Sequence, residues 1–336
     1  MNYRHALLFA AALTTVLSVA ARPAAACSIP VFRYALERWQ PEPYEAVLFH
    51  KGPLTAAQQA SVALLGGDAK APVNVSVTPV DVEGKLAGRA AKLWAKQPEA
   101  LKANLPLLVL MPGDGDERLG PVHAGPLSDD VAKRLADSPL RRETAGRLLK
   151  GQTAVWVLVE CGDKAKDDEA AKTLTEELAE QQKALKLPVI DPEAPGPKLH
   201  SPLPLRVEFS VLRLRADDEA ERFLSTMLTF GLPVPKPDKP RGPVVVPVFG
   251  QGRALVQMEG TELTRESVAG VAKFLVGECS CQVKELNPGY DLMVAADWAS
   301  ILDEKLLAQP EEPGAGKRAN LPDPVIGSGK PKGAGK

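Results

Sequence analysis

Apolar positions recur along this chain at two periods, and the switching between them divides it into short strands and helices. Between Pro30 and Trp39, the residues Phe32, Ala35, Leu36 and Trp39 recur at helical spacing, with Ser28 as the expected cap and Pro30 in the first turn. Tyr44 to His50 reads as a strand and Thr55 to Leu65 as a helix. From Val73 to Val82, valines alternate with Asn, Ser and Thr, the period of a half-buried strand. Leu86 to Lys96 is expected to be helical. Leu105 to Met111 is an apolar strand running into the turn Pro112-Gly113-Asp114-Gly115, and Gly120 to Ala124 is a second short strand. Ser128-Asp129-Asp130 opens a helix with acids where the dipole favours them, and Ser138-Pro139 starts another that ends near Gly151.

The second half repeats this order. A strand over Ala154 to Glu160 precedes a helix from about Asp167 to Leu187. From Arg206 to Val211, apolar and polar residues alternate, then Leu212 and Leu214 continue in the opposite phase, which predicts a bulge or strand end near Val211. Asp217 to Phe230 reads as a helix stopped by Gly231. Pro243 to Phe249, the hairpin Gly250-Gln251-Gly252 and Ala254 to Met258 give two strands, and Thr264 caps a helix bearing Val268, Val271, Phe274 and Leu275. Two Pro-rich stretches, Asp191 to Pro204 and Pro233 to Pro243, read as stiff extended surface segments.

The N-terminus adds a compartment. Arg4 and His5 precede an apolar run from Ala6 to Ala20, and Ala24-Ala25-Ala26 offers small residues for cleavage, the pattern of a secretory signal peptide over residues 1–26. The mature chain is therefore expected in the periplasm or cell envelope. No later run is apolar over the ~20 residues a spanning helix needs, so no transmembrane helix is expected. Residues 27–151 and 152–307 form the two repeats, and 308–336, rich in Pro, Gly and Lys, is an expected disordered tail. Removing the leader takes away Arg4 and Arg22 and no acid, so the net charge moves from −1 to −3. That balance gives no basic face for nucleic acid.

The element order from Leu105 to Ala136 resembles the end of a thioredoxin-like domain, in which a strand follows a cis-proline, an antiparallel strand pairs with it, and a helix closes the unit. The resemblance implies an α/β fold of two tandem thioredoxin-like (βαβαββα) domains, mixed sheets flanked by helices. Pro106 is then the cis-proline candidate of the first repeat and Pro243 that of the second, with Pro247 as an alternative awkwardly placed inside a strand. The signature cysteine pair is missing from both repeats. Lys51-Gly52-Pro53-Leu54 follows the first strand, and Cys161-Gly162-Asp163-Lys164 follows its counterpart. Dithiol chemistry needs two sulfurs at a helix start, where the dipole lowers one thiol's pKa.

The remaining sulfur sits at the chain's ends. Cys27 is open to lipidation after Ala24-Ala25-Ala26, to a disulfide with the C-terminal pair, or to activation at the first helix. Cys279-Ser280-Cys281 puts two thiols on one face if extended, suited to a staple, a reducible bridge or a soft metal, although no histidine lies near in sequence. Cys161 is a lone thiol crowded by Asp163, Asp167 and Asp168, which works against activation. The acidic runs Asp163–Glu169 and Asp114–Glu117 lack calcium-loop spacing, and Gly250-Gln251-Gly252-Arg253 reads as a turn rather than a phosphate cradle. The segments opening at Cys27 and at Cys279 also resemble uncharacterised exported bacterial proteins. The expectation is a redox-inactive binding or scaffold protein for a protein or peptide, with no cofactor and no metal. Its rival is a thiol oxidoreductase or copper-handling protein using Cys27 with Cys279 and Cys281.

Overall fold

A computed structural model of the chain describes residues 28–113, 120–193, 196–235, 241–279 and 282–309. They form a mixed α/β fold with helices against two mixed sheets. In the first sheet, β1 (Tyr44–His50) pairs in parallel with β4 (Val75–Asp81) and antiparallel with β5 (Leu107–Met111), which carries β6 (His123–Pro126) on its other side. A small hairpin of β2 (Gly67–Asp68) and β3 (Ala71–Pro72) precedes β4. In the second sheet, β7 (Ala154–Val159) pairs in parallel with β8 (Phe209–Leu214) and antiparallel with β9 (Val244–Phe249). The short strands β10 (Arg253–Ala254) and β11 (Met258–Glu259) pair with β9, and β12 (Tyr290–Asp291) extends the sheet beyond β10. Strand order and direction in the first sheet are matched by β8-β7-β9-β10 in the second.

The helices are α1 (Val31–Arg38), α2 (Ala56–Leu65), α3 (Gly88–Lys96), α4 (Glu99–Lys102), α5 (Asp129–Ala136), α6 (Pro139–Leu149), α7 (Lys164–Ala184), α8 (Arg222–Leu228), α9 (Arg265–Val276) and α10 (Glu304–Leu307). Strand side chains alternate between faces, and that alternation sets the layers. Val47, Phe49, Leu107 and Val109 pack toward Leu93 and Trp94 of α3. The opposite face, with Ala46, Leu48, Leu108 and Leu110, shares one buried cluster with Val155, Val157, Val246 and Val248 of the second sheet and with Leu135 and Leu148 of α5 and α6. Ala154, Trp156 and Leu158 face outward from that layer onto Leu174 of α7 and Leu275 of α9. Fully burying each large side chain of this kind contributes about 1.5–3 kcal/mol, so the central layer ties both sheets into a single core.

Each half is completed by a segment from the far end of the chain. Helix α1, which precedes the first sheet, packs on the second: Phe32, Ala35 and Trp39 join the cluster around Trp156 and Phe249. Gly250 turns with φ +57°, and a Cβ there would lie 2.8 Å from the Ala35 Cβ, so the hairpin's close approach to α1 requires glycine. Conversely, the segment after β12 binds the first half. The Asn74 side chain donates to Leu292 O at 3.1 Å and accepts from Val294 N at 2.9 Å. Tyr44 Oη donates to Asp291 O at 2.9 Å.

Several local expectations change. Ser28 does not cap α1, whose N-cap is Pro30 without a side-chain bond. Helix α7 starts three residues early, at Lys164, because Asp163 caps it by accepting from Ala165 N and Lys166 N. No bulge interrupts β8, which stays in register with β7 from Phe209 to Leu214. Its phase change is only apparent, because both faces are covered: Phe209 and Val211 pack with Trp156, and Leu212 and Leu214 with the central layer. The expected strand Ala254–Met258 breaks into β10 and β11, and the gap between them faces Pro247. Leu255 N donates to Pro247 O at 3.0 Å, and the proline has no N–H to return the reciprocal bond, so the ladder breaks there.

Candidate functional site: two strand-to-helix turns and the cysteine-bearing ends

At the first turn, Gly52 takes φ +63° and its carbonyl lies 2.8 Å from the Nδ1 of His50. Thr55 then opens α2 with a reciprocal capping box to Gln58. Lys51 pairs with Glu83 at 3.0 Å, both side chains more than half exposed; such pairs are worth little. Phe49 stands opposite Leu107 in the β1–β5 register, and just ahead of β5 the Leu105–Pro106 peptide bond is cis. The first candidate proline therefore flanks this turn. No residue of this turn carries sulfur.

At the second turn, Cys161 is half-buried and its backbone N–H donates to Asp167 Oδ1 at 2.8 Å, while Gly162 N donates to Oδ2 at 3.1 Å. The Asp167 carboxylate thus folds back over the turn. Burial pushes the Cys161 thiol up from its ordinary value, and the charges of Asp167 and Asp163 add to the effect. The Asp163 backbone works in the other direction, and the net effect favours the protonated thiol. Pro243 is a correction to the expected pattern, since Gly242–Pro243 is not cis and keeps the intrinsically favoured trans form.

The two cysteine-bearing ends lie side by side. Pro30 and Glu278 form an antiparallel bridge, with Val31 N donating to Gly277 O at 3.0 Å and Cys279 N donating to Ile29 O at 2.9 Å. Cys279 is buried at 1% exposure in the cluster with Ile29 and Phe32. Past it, Gln282 O accepts from the Trp39 indole Nε1 at 3.1 Å, returning the chain to α1. Cys27, Ser280 and Cys281 lie outside the described residues, as do residues 1–26, 114–119 and 310–336. Among the described residues no group of three or more His, Cys, Asp or Glu side chains is placed to hold a metal ion, and no helix is long and apolar enough to cross a membrane.

A cleft of about 250 Å³, which no sequence pattern predicts, lies where the first half, β10 and the segment after Val283 meet. On its floor Asp291 binds Lys284 and lies 3.3 Å from Arg253, whose Nε and Nη2 donate to Pro288 O and Asn287 O. Glu42 N donates to Asp291 Oδ2 at 2.9 Å, and Lys284 Nζ to Gln40 O at 2.6 Å. These groups neutralise and bond one another, so the cleft floor is a bolt between halves. The hairpin Gly250-Gln251-Gly252 is covered by α1, with Gln251 buried and donating to Leu36 O at 2.9 Å. The acidic run at α7 is absorbed by caps and ion pairs, including Arg213 with Asp168 at 2.9 Å. No family model matches this chain, and no curated protein or solved structure matches it.

Proposed function

We propose that the chain is an exported, redox-inactive tandem thioredoxin-like protein that serves as a binding or scaffold module for a protein or peptide. The observation that carries this reading is the pair of strand-to-helix turns, one with no sulfur and one with a single thiol whose burial and acidic neighbours oppose ionisation. The shared strand order of the two sheets and the cis bond at Pro106 support the fold assignment. In the assay that tests it, the full chain reduces or exchanges a small disulfide substrate at the background rate, and iodoacetamide modifies Cys161 more slowly than a free thiol at pH 7.5. Turnover abolished by a cysteine-to-serine change, or Cu(I) bound with Cys279 and Cys281, would instead favour the thiol or copper reading.

The sulfur at the ends we assign to a staple. In sequence, Cys27 lies three residues before Pro30 and Cys281 three residues after Glu278, and Pro30 and Glu278 form an antiparallel bridge. A disulfide between Cys27 and Cys281 would extend that tie between the two ends. An oxidising compartment would close that bond. Lipidation of Cys27 is the competing fate.

A further inference from the structure

We infer that His123 is an acid-sensitive latch between the first sheet and α8, whose protonation loosens the contact between the two halves. The imidazole meets the Phe223 ring edge-on at 5.5 Å and an interplanar angle of 87°, across a sequence separation of a hundred residues. Its Nε2 is buried with no hydrogen-bond partner among the described residues. The ring also rests on Gly125, where a Cβ would come within 3.0 Å of it. Two cations face this wedge. Arg134 of α5 lies over the other aromatic partner, 5.9 Å from the Phe223 centroid, and Arg222 of α8 adds positive charge from the second half. The nearby acids are committed elsewhere: Asp130 pairs with Arg134 at 2.7 Å, and Glu221 accepts from Ser138 and from Leu140 N. A proton on His123 therefore adds a third positive charge beside Arg134 and Arg222, on a partly buried ring that has no carboxylate of its own.

Burial first, then Arg222 and Arg134, hold the His123 pKa below its ordinary value of 6.5, against a smaller opposing contribution from the Gly125 backbone. The folded-state value is depressed, so the latch's stability is present above about pH 6.5 and is lost as pH falls through the folded value. Each unit of that depression changes the open-to-closed ratio about tenfold between the two pH limits. The test is histidine ring NMR on the full chain, with the His123 signal assigned by its absence in His123→Phe. Hydrogen exchange across β6 and α8, corrected for intrinsic chemistry, gives a second readout. The inference predicts a His123 titration below 6.5, and faster exchange in both elements at pH 5.5 than at 7.5 in the parent chain only. A titration at or above 6.5, or equal acid sensitivity in His123→Phe, would overturn it. If His123→Phe misfolds, Arg222→Gln keeps the imidazole and should raise its titration.

Discussion

Truncating Arg141 to alanine should lower stability by about 3–5 kcal/mol, the range for breaking a buried charged network at one partner. The guanidinium is 1% exposed and donates in four directions: Nε to Ser138 Oγ at 3.0 Å, Nη1 to Leu135 O at 2.7 Å and Met293 O at 3.2 Å, and Nη2 to Arg134 O at 2.5 Å. Two of those acceptors are last-turn carbonyls of α5, which a cation at the helix C-terminus satisfies. Met293 belongs to the segment after β12, and the Ser138 hydroxyl donates to the buried Glu221 carboxylate at 2.5 Å. One side chain thus joins α5, α6, the approach to α8 and the C-terminal segment. Burial lowers its pKa to about 10, with Asp137 and Glu221 opposing, so it stays charged at neutral pH. In urea the Arg141→Ala midpoint should fall without a change in m-value, because the surface exposed on unfolding is unchanged. Arg141→Lys keeps a charge but lacks the fork that reaches every acceptor, and should fall between the two. A loss under about 1 kcal/mol, typical of an exposed pair, would show that the network does not hold the halves together.

Glu37→Ala is expected to be comparably severe, at about 3–5 kcal/mol, because it strands Arg33 in the interior. Both side chains are fully buried, and Arg33 Nε stands 3.6 Å from Glu37 Oε1, too far for a hydrogen bond but close enough for charge attraction. Arg33 also donates to Leu203 O. Glu37 Oε2 accepts from His200 N at 2.6 Å and from Arg38 at 3.2 Å. The pair therefore bolts α1 to the Pro-rich strap around His200 and Leu203. Burial, the largest influence, raises the Glu37 pKa and lowers that of Arg33, while each one's charge works in the other direction. A raised carboxyl pKa gives stability that is full below the ordinary carboxylate value and is lost as pH rises through the folded value. Glu37→Gln, which cannot ionise, should be the milder variant and should flatten that part of the stability–pH profile. Gln strands Arg33 as Ala does but keeps an oxygen for His200 N, so equal losses for Ala and Gln would mean that this bond contributes nothing.

What could be read from sequence was what neighbouring residues decide among themselves. Strands β1, β5 and β7 announce themselves as apolar runs, and Thr55 and Thr264 form the capping boxes their positions suggest. Ser138 marks the start of α6 correctly, yet makes no capping bond, because its hydroxyl is drawn to Glu221. No periodicity could reveal that, since the partner lies 83 residues away. The docking of α1 onto the second sheet escaped for the same reason: its stripe of Phe32, Ala35 and Trp39 says that a face is buried, not which sheet buries it. The cleft floor draws Glu42, Arg253, Lys284 and Asp291 from three distant segments, and no local motif links them. The missing dithiol was legible outright, because a cysteine is present or it is not. Its consequence at Cys161 needed the Asp167 carboxylate to be seen folded onto the turn.

The proposed staple makes sulfur hold the chain's ends rather than exchange electrons. Its most direct test is mass analysis of the exported chain, digested under denaturing conditions with and without reduction after alkylation. The expected result is a joined peptide containing Cys27 and Cys281 that separates only on reduction, at a stability gain of about 2–5 kcal/mol for a native disulfide. Cys27 carrying a lipid mass, or Cys27 and Cys281 both alkylated before any reductant is added, would contradict it.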